Sequence, residues 1–174
     1  MRGAFIGLLL AAAAGCGRLD EVDVTRSAIV SVPGDPAGGP PRTVSGFRAA
    51  PRIEDTLREE GLERGDIDSA RVVQLRVELR AGASFERWLD DVVVIVRADG
   101  LPDVVIAEGH DVASAPAGTR VVELEVSGVD LDRYLLGGNP MLGVEGTGTP
   151  PPEDTILQIT GTVRVDVDVS DYLF

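Results

Sequence analysis

The feature of this chain that most constrains its fold is a regular alternation of apolar and polar residues near its C-terminal end. Over residues 157–169 one side of the alternation is apolar and the other is polar or charged. The apolar side consists of Leu157, Ile159, Val163, Val165, Val167 and Val169. Successive side chains of a β-strand point to opposite faces, so the pattern predicts a long strand with one buried and one solvated face. A strand of this length is expected to bend, and we predict a β-bulge at Gly161.

Seven further stretches carry patterns typical of strands. They cover residues 22–30, 43–47, 73–79, 92–96, 104–106, 122–126 and 141–145. In the third stretch we expect the side chains of Val73, Leu75, Val77 and Leu79 to point inward. The unbroken apolar run 92–96 is expected of a strand that is covered on both faces or lies centrally, and Asp99-Gly100 marks a tight turn after it.

About eight strands with polar outer faces predict an all-β fold, and we expect an antiparallel β-sandwich of the immunoglobulin-like kind. A small β-barrel is the alternative. One short helix is predicted near residues 53–60, because Pro51 precedes it, acidic residues fill its first turn and Gly61 can end it. Single turns are expected over 84–89 and 130–136. Phe85 and Trp88 are expected to plug the end of the sandwich, since they are three residues apart, rather than to form an exposed platform for sugars.

The first sixteen residues have the pattern of an export signal. A short positive start at Arg2 is followed by a small or apolar run from Ala4 to Ala14, interrupted only by Gly7. The run is too short to cross a bilayer, which takes about 20 apolar residues, and it has the length of a secretory signal. It leads through Gly15 to Cys16, the only cysteine of the chain, which cannot form an internal disulfide.

This segment resembles the lipobox of bacterial lipoproteins, in which small residues precede a cysteine that becomes acylated. The residues that carry the resemblance are Ala13, Ala14, Gly15 and Cys16, with Ala13 standing where the class most often has leucine. The resemblance implies cleavage before Cys16 and attachment of lipid to that residue. The alternative is a secretory signal followed by an incidental cysteine.

The resemblance also implies a domain organisation and a location. Residues 1–15 would be the signal peptide, residues 16–21 the lipidated cysteine with its tether, and residues 22–174 a single β-sandwich domain. Several acyl chains together hold a protein firmly to a membrane, whereas a single chain is marginal. The protein is therefore expected in the bacterial cell envelope, and Gly17 after the cysteine favours the outer membrane.

The charge of the chain constrains its partners. With 16 basic and 29 acidic residues it carries a net charge of −13. Nucleic acids are bound through basic patches, so no nucleic-acid partner is expected. The same charge opposes adsorption to anionic lipid, so we expect the N-terminal lipid to provide the membrane contact. An envelope protein is a further candidate partner, and no cofactor other than calcium is suggested.

Calcium is suggested by three pairs of aspartates, each separated by one residue. The pairs are Asp66 and Asp68, Asp130 and Asp132, and Asp166 and Asp168. In a loop this spacing can direct two carboxylates at one cation. The structural alternatives are that the first pair begins a strand, that Asp130 caps a turn holding Tyr134, and that the third pair contacts arginines on a neighbouring strand. A calcium site at Asp66, Asp68, Asp130 and Asp132 remains the alternative hypothesis, within a calcium-dependent binding or adhesion module.

A hydrolase is the third hypothesis, using paired carboxylates or His110. His110 is the only histidine, which excludes zinc motifs with two histidines, and any Ser-His-Asp triad would need it. No Gly-x-Ser-x-Gly motif accompanies it, and the chain has no lysine for a nucleotide-binding P-loop. The sequence therefore favours a non-catalytic, membrane-anchored envelope lipoprotein whose β-sandwich has a binding or structural role.

Overall fold

A computed structural model of the chain describes residues 21–49, 58, 63–136 and 139–168. The signal segment and Val169 lie outside the described residues, and only Arg58 of the helix predicted over 53–60 is among them. The strands are β1 (Glu21–Val32), β2 (Arg42–Ala49), β3 (Ile67–Ala81), β4 (Leu89–Arg97), β5 (Val104–Gly109), β6 (Val121–Val126), β7 (Met141–Gly148) and β8 (Thr155–Val167). One short helix, α1 (Asp132–Leu136), and three 3-10 turns, Arg64–Asp66, Phe85–Arg87 and Val112–Ser114, complete the described elements.

The eight strands form one curled antiparallel sheet in the order β1-β8-β3-β6-β5-β4-β7-β2. Strand β6 joins the two halves, because its residues 121–124 pair with β3 whereas residues 125–126 pair with β5. The predicted all-β antiparallel sandwich is thus confirmed. Its strand order, however, is that of a double Greek-key jelly roll and differs from the immunoglobulin order. The first strand pairs with the last, and period-two patterns carry no information about such distant pairing.

A single main core lies between the two halves of the curled sheet. Buried residues of β3 and β8 belong to the same apolar cluster as buried residues of β4, β5 and β7. The members from these strands include Leu75, Val77, Leu157, Ile159, Val92, Val94, Ile106 and Val144. The alternation predicted for the last strand is confirmed from Leu157 to Val167, and β4 lies between β5 and β7, as its apolar run predicted.

The observed positions of the β-bulges show that two of the sequence predictions are wrong. The pairing of β3 with β8 shifts at three places, and each time the extra residue is on β3. One of these extra residues is Val73, which is 38% exposed while Val72 is buried. The extra residue reverses the phase of the alternation, so the prediction that Val73 points inward is wrong. The bulge predicted at Gly161 is also wrong, since Gly161 pairs regularly with Arg26 and Leu75.

Phe85 and Trp88 lie in the turn that carries the chain from β3 to β4. Phe85 is fully buried, and its ring centroid is 6.2 Å from that of Trp88. The indole Nε1 donates a hydrogen bond to the Ala83 carbonyl at 3.0 Å, which satisfies its polar atom inside the core. The two rings therefore plug the sandwich, as expected, and are not an exposed sugar platform.

The outer face of β8 carries a two-pronged ion pair between Arg164 and Asp23. The Arg164 guanidinium donates to both carboxylate oxygens of Asp23, at 2.8 and 3.0 Å, and this contact lowers the pKa of the Asp23 carboxyl. Asp166 instead accepts a hydrogen bond from the Ser69 hydroxyl at 2.6 Å. The expectation that Asp166 pairs with an arginine on a neighbouring strand is wrong, because its β3 neighbour in the register is Ser69.

Candidate functional site

The four residues of the predicted signal cleavage site, Ala13, Ala14, Gly15 and Cys16, lie outside the described residues and stay predictions. The described structure begins at Glu21, the first residue of β1. Only five residue steps separate Cys16 from this strand. Within the described part of the chain, no helix is both long enough and apolar enough to cross a membrane.

The aspartates proposed as calcium ligands are engaged with backbone groups. The Asp66 carboxylate accepts from the amide of Glu63 at 2.7 Å. The Asp130 carboxylate accepts from the amides of Ala70 and Asp132, at 3.0 and 3.2 Å. Asp132 in turn accepts from the amide of Arg133 at 2.5 Å, and Asp68 is an exposed bulge residue of β3. Across residues 63–136 and 139–168, no three acidic, histidine or cysteine side chains gather into a metal cluster.

The structural role of Asp130 leads to a prediction. We expect Asp130→Ala to lower the free energy of unfolding by about 1–2 kcal/mol, because two amides lose their shared acceptor. Urea denaturation would measure the loss, with EDTA and with calcium in parallel. Asp68→Ala, at an exposed bulge position, is the matched control and should change stability by less than about 0.5 kcal/mol. A loss that appears only in calcium would contradict the structural role and indicate a ligand.

His110 lies just after β5 in a small cluster of polar side chains. Its Nδ1 is 3.2 Å from Oδ1 of Asp91, and its Nε2 is 3.6 Å from Oε2 of Glu108. The Thr147 hydroxyl donates to the other Asp91 oxygen at 3.1 Å. The hydrogen bonds from Thr147 and His110 lower the pKa of the Asp91 carboxyl.

This geometry does not form the catalytic arrangement that a triad requires. An activated nucleophile needs a hydroxyl within about 3.2 Å of the imidazole, with a carboxylate orienting the other nitrogen. Here both ring nitrogens face carboxylates, and the nearby hydroxyl of Thr147 bonds to Asp91 rather than to His110. The imidazole is also 59% exposed. We interpret the cluster as a solvated polar contact across β4, β5 and β7.

Two apolar cavities lie between the halves of the sheet, next to the inner face of β1. Each is small, with a volume of about 80 Å³, and each is partly open to solvent. The first, which we call the tryptophan cavity, is lined by residues including Val30, Val77, Trp88, Val92 and Leu157. The second, which we call the arginine cavity, is lined by residues including Arg26, Ala28, Leu75, Leu142 and Ile159. Both lie beside β1, an edge strand of the curled sheet, and we refer to the pair of cavities as the cleft.

Arg26 is the cationic residue at this cleft. It occupies an inward position of β1, in the same row as Val24 and Ala28, and is half-buried. Its Nη1 donates to the carbonyl of Thr25 at 3.0 Å. Our sequence reasoning missed it, although a signal was present: Arg26 interrupts the apolar side of the alternation over residues 22–30. Positions that break a local pattern are where functional residues are expected.

Comparisons with known proteins leave the family open. No protein-family model matches the chain, and no curated protein matches its sequence. Among solved structures, a chain of turnip yellow mosaic virus is 13% identical, with a TM-score of 0.33 over 95% of this chain and 90% of that chain. A chain of Desmodium yellow mottle tymovirus is 8% identical, with a TM-score of 0.33 over 95% of this chain and 92% of that chain. Similarity at this level says nothing about function.

Proposed function

We propose that this chain is a membrane-anchored envelope lipoprotein whose β-sandwich has a non-catalytic binding role. The observation that carries the proposal is the position of the sole cysteine, which ends a signal-like apolar run five residues before β1. The resemblance to lipoproteins assigns lipid to Cys16, and Gly17 favours the outer membrane. The open apolar cleft supports binding rather than a purely structural role, since ligand sites are typically concave and mostly apolar.

The short tether would determine how the domain meets the membrane. Five residues reach at most about 18 Å when fully extended. The end of the sandwich that holds Glu21 would therefore face the membrane, together with its register partner Asp166 and, through β8, Ser69. Arg26 lies about 17 Å along β1 from Glu21, so the cleft would remain accessible above the lipid surface. Acidic residues at the anchored end oppose contact with anionic lipid, which leaves anchoring to the acyl chains.

Substituting the cysteine tests the anchor. We expect the full-length wild-type chain, produced in a Gram-negative host, to incorporate labelled palmitate and to begin at Cys16 by intact mass. Cys16→Ser should abolish the label completely, because serine has no sulfur to form the thioether. Arg18→Gln, two residues away, is the control and should label like the wild type. An unmodified thiol in the wild type, or a mature start at another residue, would overturn the proposal.

A further inference from the structure

We propose that the edge of β1 is a surface on which a second copy of this chain would pair, and that Arg26 keeps that copy away. The inference goes beyond the binding role proposed above, because it assigns to Arg26 the task of keeping the protein monomeric. It does not depend on lipidation of Cys16, since β1 and Arg26 belong to the described fold. It follows from three observations: the regularity of the edge, the sequence of β1 and the place of Arg26 within it.

Strand β1 is a long and regular edge strand. All twelve of its residues pair with β8 in one unbroken register, and β1 stands at the end of the described strand order. An edge strand presents backbone N–H and C=O groups that can pair with another chain. Many proteins limit such pairing with a bulge, a proline or a lysine on the edge strand. Strand β1 has none of these three features.

The sequence of β1 would favour pairing if Arg26 were replaced by an uncharged residue. From Val24 to Val32, Arg26 is the only charged residue, and the stretch contains neither proline nor glycine. Segments of six or seven residues with high β-propensity and low net charge readily pair with copies of themselves. A charged side chain that points inward is a further means of protecting an edge strand, and Arg26 occupies an inward position.

Arg26 also covers a backbone acceptor of the edge. Its Nη1 donates to the carbonyl of Thr25 at 3.0 Å. This carbonyl points to the edge side, because a guanidinium has no room between two strands that are joined by a ladder of hydrogen bonds. A second strand that paired with β1 would need the same carbonyl as an acceptor. Arg26 must therefore leave Thr25 before a second strand can pair there.

The position of Arg26 near the middle of β1 makes it act against a copy of the same chain. It is the sixth of the twelve residues of the strand. When two identical strands pair antiparallel along nearly their whole length, residues near the middle lie beside their own counterparts. Two guanidinium groups would then be neighbours on one face of the sheet, and like charges in this arrangement are destabilising. A strand without a cation at its middle would not meet this repulsion, so the second copy is the partner that Arg26 excludes.

The protein mass of the full-length chain in detergent, measured by light scattering after size-exclusion chromatography, tests the proposal. We expect the wild type to be a monomer. Arg26→Val and Arg26→Thr should each form a dimer, with self-association at least about 100-fold tighter than that of the wild type. A dimer is expected because a contact that uses the same edge on both copies closes at two.

Three control variants separate the charge and the edge from unspecific effects. Arg26→Lys keeps the charge and should remain a monomer. Arg76→Val makes the same replacement at an exposed position of β3, which lies inside the sheet, and should also remain a monomer. Adding Thr25→Pro to Arg26→Val removes an amide on the edge side, where proline is tolerated, and should restore the monomer.

Four outcomes would overturn the proposal. The first is a dimeric wild type. The second is that Arg26→Val and Arg26→Thr both melt cooperatively and both remain monomers. The third is a dimer of Arg26→Val alone, which would indicate unspecific apolar contact rather than loss of the charge. The fourth is a dimer that persists after Thr25→Pro, which would place the contact away from the edge of β1. Palmitate labelling at Cys16 is a separate measurement, so failure of the anchor and failure of this proposal are distinguishable.

Discussion

Phe85→Ala is expected to lower the free energy of unfolding by about 3–5 kcal/mol. The Phe85 side chain is fully buried in the turn between β3 and β4, and it packs against Trp88 with a ring-centroid distance of 6.2 Å. Removing the ring loses the free energy gained by transferring it out of water, and it leaves a cavity. The turn cannot collapse to fill this cavity, because strands hold both of its ends. The cost is large because this turn links the two halves whose packing forms the core.

Urea denaturation followed by Trp88 fluorescence and by far-UV circular dichroism would measure this loss. Phe85→Leu retains most of the apolar volume and should cost less than about 1.5 kcal/mol. Val121→Ala, at a position that is 45% exposed, should change stability by less than about 0.5 kcal/mol. A loss below about 1 kcal/mol for Phe85→Ala would contradict the buried placement of the ring. It would also reopen the exposed aromatic platform as an interpretation.

The set of strands is the part of the fold that the sequence predicts well. Each of the predicted stretches from residue 22 to residue 145 falls within one observed strand, and the last is confirmed as far as Val167. The reason is local: burial of one face of a strand imposes a period of two on the residues themselves. The short turns at Phe85–Arg87 and Asp132–Leu136 likewise fall where turns were predicted.

Features that depend on distant pairing were not predictable in the same way. The jelly-roll order brings β1 beside β8 and β2 beside β7, and no local pattern specifies these partners. The bulge at Val73 is similar, because its extra residue exists only relative to the register of β8. An apolar residue at a bulge looks, in the sequence alone, like any other member of the alternating row. The same limit explains why the partner of Asp166 was expected to be an arginine and is Ser69.

The candidate cleft was only partly predictable from the sequence. Arg26 interrupts an apolar row, which is visible in the sequence, but the cavity beside it requires the approach of β4 and β7 to β1. The spacing of the aspartate pairs was also visible in the sequence. The sequence did not show, however, that the Asp130 carboxylate accepts hydrogen bonds from the amides of Ala70 and Asp132. Spacing along the chain indicates which groups can act together only when the backbone between them is known.

Gly148→Ala is expected to lower the free energy of unfolding by about 3–4 kcal/mol, through backbone strain and a steric clash together. Gly148 ends β7 with a φ of +144°, a conformation that residues with a side chain rarely adopt. A Cβ at this position would lie 2.1 Å from the carbonyl oxygen of Trp88. The close approach arises because β4 carries an extra residue between Leu89 and Asp91, opposite the end of β7.

Two other glycines separate strain from clash in this prediction. Gly118 has a φ of +84° but open space around it, so Gly118→Ala measures the cost of the backbone conformation alone, about 1 kcal/mol. Gly65 has neither constraint, and Gly65→Ala should change stability by less than about 0.5 kcal/mol. Because the clash is with the carbonyl oxygen of Trp88, Gly148→Ala should also shift the fluorescence of Trp88 in the folded state. Equal losses for Gly148→Ala and Gly118→Ala would mean that β4 and β7 do not approach as closely at this point, and the wall of the tryptophan cavity would then have a different shape.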